Sequence, residues 1–169
     1  MKSATVLFTC VLLLFSFGAD AQESDVLTVS EAVEEFGSVL EDEGLTLVVI
    51  HLNDKSVEAL FSTAPNMRAL QLQAKGATMF FVQGTNGTAE TLEPALDWQI
   101  RQAGEEIPTR AINIANFDED SEVPEGERYS GLIVAPRPID HTSEFVVENG
   151  LRSFNFVFSP SQIEMIEGT

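Results

Sequence analysis

Apolar residues recur along the chain in two different periods, and the change from one to the other marks out the elements. Val29, Ala32, Val33, Phe36 and Leu40 fall on one helical face. Thr28 precedes them with Glu31 three residues on, which reads as a capping box. Gly44 supplies a stop, so the spacing predicts a helix over 29–42. Leu45 to Leu52 is almost wholly apolar and rich in Val and Ile, as in a central strand buried on both faces. Asp54 can cap a second, short helix with Val57, Leu60 and Phe61 inward and Pro65 beyond its end. Residues 66–75 carry both helical and strand spacing. Residues 77–83 read as a strand, and Gly84-Thr85-Asn86-Gly87-Thr88 as a turn.

The second half alternates. Leu96, Trp98 and Ile100 share one side of a strand over 95–101, and Ile112 and Ile114 point inward from a strand over 109–115. Phe117 can anchor the charged loop 118–127, and a strand over 129–135 follows. Asn149-Gly150 predicts a type I′ hairpin between 145–148 and 151–158, because both residue types tolerate positive φ. Phe154, Phe156 and Phe158 then share a face. Ser159 and Pro160 open a short final helix. The expected fold class is α+β: an N-terminal helix-strand-helix segment, then a mainly antiparallel β-sheet or sandwich. Any seam falls near 84–92.

The first residues change the picture of compartment. Lys2, an apolar run from Val6 to Phe17 and then Ala19-Asp20-Ala21 read as a cleaved secretory signal over 1–21. Asp20 ends the run short of the ~20 apolar residues of a membrane anchor. The expectation is a secreted or periplasmic chain, 22–169, forming one globular domain with no membrane insertion after cleavage. Cys10, the single cysteine, leaves with the signal. The expected mature chain therefore excludes disulfides, thiol catalysis and Cys-ligated zinc.

Twenty-seven acidic residues against nine basic ones give a net charge of −18, which argues against nucleic acid and anionic membranes as partners. The same charge suits a basic protein or a cationic or mineral surface.

The candidate chemistry is sparse. Asp118, Asp120 and Glu122 alternate as hard oxygen ligands for a cation such as calcium. An EF-hand loop fails at two positions, where Val123 stands for Gly and Tyr129 for the acidic last ligand. The plainer reading is a solvated acidic loop. His51 and His141 would need a carboxylate and the fold's help to make a metal site, and their separation carries no spacing signal. Otherwise His51 is a core or edge residue and His141 a turn residue.

Asp97 with Glu105 and Glu106, near Trp98, is the nearest approach to a glycosidase-like carboxylate pair. Nucleophile-elbow, dinucleotide and P-loop motifs are missing. Asn86-Gly87-Thr88 is a glycosylation sequon for a eukaryotic secretory pathway.

The leading expectation is an acidic, non-catalytic binding or interaction module with no bound cofactor, presenting loops 84–92 and 116–128. The alternatives are a small secreted hydrolase using a carboxylate pair, and an assembly subunit that pairs through an edge strand near 151–158.

Overall fold

The computed structural model describes residues 26–42, 44–150 and 152–168. The predicted signal, including Cys10, lies outside them. The described residues form four helices and nine strands in an α+β sandwich of two antiparallel sheets. The first helix, α1 (Val29–Phe36), starts at the Thr28–Glu31 capping box. It stops six residues before the predicted end. Residues Gly37–Asp42 are strand β1, antiparallel to β2 (Leu45–His51). Leu40 fits both periods, and its neighbour settles the matter. Val39 packs on one face of the sheet and Leu40 on the other, which is the alternation of a strand.

Helix α2 (Asp54–Phe61) is capped by Asn53 rather than Asp54; the Asn53 side chain accepts from the amides of Lys55 and Ser56. The ambiguous stretch becomes helix α3 (Met67–Gly76). Strand β3 (Met79–Asn86) extends into the predicted turn as far as Asn86. The next strands are β4 (Trp98–Gln102), β5 (Glu105–Pro108), β6 (Arg110–Ala115) and β7 (Arg128–Val134). Strands β8 (Phe145–Asn149) and β9 (Arg152–Phe156) make the last hairpin, and helix α4 (Pro160–Glu167) closes the described chain behind the predicted Ser159 cap.

The five-stranded sheet has the order β1-β2-β3-β7-β6 and the four-stranded sheet β5-β4-β8-β9. The five-stranded sheet is the middle layer. Leu47, Val49, Phe80 and Val82 face the second sheet and join Ile100, Phe145 and Phe154 in one apolar cluster. Val48, Ile50, Met79 and Phe81 face the other way and pack with Val33, Phe36 and Val57 of the helices. This explains why β2 is apolar throughout: both of its faces are covered.

Three local expectations are corrected. Gly84 is not a turn residue. It pairs with Tyr129 in the β3–β7 ladder, and a Cβ there would fall 2.4 Å from the Tyr129 hydroxyl. The glycine makes room for a close approach within a strand. Ile114 is 49% exposed rather than inward, because a bulge between Asn113 and Ala115 shifts the register against β7. The last hairpin pairs Asn149 with Arg152, so Asn149 stays in the ladder and Gly150, with φ of 58°, is the first loop residue. Two consecutive positive φ angles occur instead at Ala103 (51°) and Gly104 (80°), between β4 and β5.

Candidate functional site

The fold brings together two histidines that the sequence separates by ninety positions. Nε2 of His51 and Nε2 of His141 lie 3.0 Å apart, with the rings nearly perpendicular. His51 ends β2 and is 3% exposed, its ring set edge-on to Phe80 and Phe158. Ser56 holds the backbone here by donating to the His51 carbonyl. His141 comes from the loop after Pro138, and that loop is fixed on both sides. The Ile139 amide donates to Thr78 Oγ1 at 2.9 Å. Gln102 of the second sheet donates to the Asp140 carbonyl at 2.7 Å and accepts from its amide at 3.0 Å. The Asp140 carboxylate then accepts from Thr142 and Ser143 and closes the turn.

Both rings line an open pocket of about 410 Å³ whose wall also includes Asn53, Asp54, Lys75 and Glu167. Three enclosed side-chain atoms without a partner are found among the described residues: His51 Nδ1, Asn53 Nδ2 and Asp54 Oδ1. All three belong to residues that line this pocket. Burial presses the His51 pKa down to about 3, with the facing His141 adding to the effect. Burial also lowers His141, against the upward pull of the Glu167 and Asp140 charges. Near neutral pH both rings are neutral, each with one N–H and one bare nitrogen, and one of the facing Nε2 atoms donates to the other.

The acidic loop stands elsewhere. Phe117 and Val123, both fully buried, pin its two ends, and Val123 exchanges backbone hydrogen bonds with Leu92 at 2.8 and 3.0 Å. Asp118 organises the turn: it accepts from Asn113 Nδ2 at 2.7 Å and from Ser121 Oγ at 2.8 Å. Asp120 and Glu122 are exposed. Among the described residues, no set of three or more His, Cys, Asp or Glu side chains is grouped to hold a metal ion, so Asp118, Asp120 and Glu122 are not gathered as a ligand set.

Asn86 is fully buried at the end of β3, not exposed on a turn. Its Nδ2 donates to the carbonyls of Glu90 (2.7 Å) and Val123 (2.8 Å), and its Oδ1 accepts from the Thr88 amide and hydroxyl. A glycan would remove one of those donors and needs space that is filled.

The carboxylates near Trp98 are dispersed into ion pairs. Glu105 pairs with Arg137, while Glu106 and Glu148 share Arg101. The Arg137 guanidinium lowers the Glu105 pKa, the opposite of what a general acid needs. Trp98 is 8% exposed, stacks on Phe154 and donates to the Pro94 carbonyl, and Tyr129 is 3% exposed. Neither large aromatic is free to serve as a sugar platform. Asp97 borders a second pocket of about 400 Å³ together with Asp42, Glu93 and Arg152.

The described residues contain no helix long and apolar enough to cross a membrane. Comparison with protein-family models gives no match, and neither does comparison with curated proteins. Among solved structures, the chain is similar to MPT63, a secreted protein from Mycobacterium tuberculosis. The two are 14% identical, over 79% of this chain and 96% of that one, with a TM-score of 0.33. That likeness is too low to carry any activity across.

Proposed function

We propose that this protein is a secreted or periplasmic, acidic, non-catalytic binding module that engages a basic protein partner. The observation that carries the reading is the anchoring of loop 118–122 between the fully buried Phe117 and Val123. A loop fixed at both ends presents Asp120 and Glu122 with little ordering entropy left to lose on binding. The net charge of −18 adds long-range attraction for a positively charged surface. A His51 pKa near 3 also speaks for binding over proton transfer, since a general base works best with a pKa near the working pH.

The test uses poly-L-lysine as the probe, at several salt concentrations. Asp120→Asn with Glu122→Gln is compared with Glu34→Gln with Glu164→Gln, which removes the same charge from exposed helix positions. The reading expects the loop variant to lose clearly more affinity than the helix variant. Equal losses would mean that only net charge acts, and would overturn it.

A further inference from the structure

We propose that the facing Nε2 atoms of His51 and His141 form a two-nitrogen seat for a divalent transition-metal ion, copper(II) ahead of zinc. The remaining coordination positions open into the pocket, to water or a small ligand. This is independent of the acidic loop and of any protein partner.

The first support is distance. Metal–imidazole bonds are about 2.0–2.1 Å, so two nitrogens 3.0 Å apart subtend an angle of roughly 95° at an ion placed between them. That is close to the right angle of tetragonal copper(II). A tetrahedral zinc ion needs the nitrogens only about 0.3 Å further apart. Two neutral imidazoles suit both metals, and for equal ligands copper(II) binds more tightly.

The second support is preorganisation. His51 is buried between Phe80 and Phe158, and the turn carrying His141 is tied to β4 through Gln102 and to the residue preceding β3 through Thr78. Little has to move for the ion to enter.

The third support is the state of the site without an ion. Buried polar side chains almost always find partners. Asp54, in the same pocket wall, has an enclosed carboxylate oxygen, Oδ1, without a partner, and it is the one of the three such atoms among the described residues that can accept a cation. The rings are neutral near pH 7, so metal does not have to displace a charge-bearing proton. The proton shared between the Nε2 atoms shifts to Nδ1 of the ring that carried it. Burial lowers the His141 pKa overall, and the Glu167 and Asp140 charges oppose it, offsetting part of the cost of positive charge there. Lys75 in the same wall is held by Asp54 at 2.9 Å.

The experiment titrates copper(II), with glycine as a competing chelator, into the purified protein and into His141→Gln. Electron paramagnetic resonance reads the ligands. The expected result is one tight ion with splitting from two imidazole nitrogens, and at least about ten-fold weaker binding in the variant. Equal binding by both proteins, or an all-oxygen spectrum, would overturn the proposal and point to scattered surface carboxylates. Should His141→Gln fail to fold, wild-type imidazole ¹⁵N spectra with zinc decide. Joint shifts of both Nε2 resonances support the seat, and a shift of neither or only one overturns it.

Discussion

Tyr129 lies across Gly84, its cross-strand partner, so closely that a methyl group on residue 84 would meet the phenol carbon and hydroxyl at 2.4 Å. Neither atom is the end of a long flexible chain. The ring is 3% exposed and stacks on Phe117. Gly84→Ala is therefore expected to destabilise the protein by about 1–3 kcal/mol through overpacking. In a Tyr129→Leu background the same change is expected to cost clearly less. A denaturant double-mutant cycle measures the difference, and simple additivity would mean that the ring is not the obstacle.

The turn between β4 and β5 holds Ala103 at φ of 51°, where an L-side chain other than Asn or Asp is strained. Ala103→Asn is expected to raise stability by about 0.5–1 kcal/mol, read as an increased urea midpoint at unchanged slope. A lowered midpoint would show that Ala103 makes some compensating contact.

Asn86 uses both amide hydrogens and accepts two hydrogen bonds from Thr88. Asn86→Ala is expected to cost about 2–4 kcal/mol, because two backbone carbonyls lose a donor and a cavity opens. Thr88→Ala, which also destroys the sequon, is expected to cost only about 1 kcal/mol. Intact mass of folded protein from a eukaryotic secretory host is expected to show no glycan at Asn86.

Acid is expected to weaken the fold before most carboxylates titrate. His51 has a folded pKa near 3 against a reference of 6.5, so below pH 6.5 the unfolded chain takes up a proton that the folded chain refuses. Stability contributed by the neutral ring is full above pH 6.5 and is lost as pH falls toward 3. His141 acts in the same direction. Melting temperature is expected to fall between pH 7.5 and 5.5, and to fall less in His51→Gln. Identical slopes in the two proteins would contradict the burial argument.

Much of the architecture could be read from residue order. The capping box at Thr28, the Ser159 cap, the anchoring role of Phe117 and the inward Trp98 and Ile100 all follow from local chemistry, and the structure has them. The failures have physical causes as well. Leu40 satisfies helical and strand periods alike, so only Val39 beside it reveals β1. Gly84 carries the same letter as a turn glycine, and its reason for being there sits on another strand. Ile114 alternates correctly until the bulge at Asn113 rotates it outward.

The histidine pair was illegible for a stronger reason. His51 and His141 belong to different elements, and their meeting depends on Gln102 and Thr78 gripping the intervening loop. No linear spacing encodes such a contact. The polar surroundings of His141, with Asp140 before it and Thr142 and Ser143 after, do encode a tight turn, and that much of the site was within reach.

The middle sheet has a consequence for how the strands find their alignment. In a half-exposed sheet, sliding a strand by one residue throws its apolar side chains into water, and solvent rejects the mistake. That safeguard is weak for β2 and β3, whose two faces are both covered. Volume takes over from polarity as the indexing signal. Gly84 on β3 and Gly131 on β7 are notches, filled by Tyr129 and Phe117 respectively. A strand displaced by one position would drive a ring into a side chain instead of a gap. The sheet is aligned by tooth and notch, and its glycines are the marks from which the alignment is set.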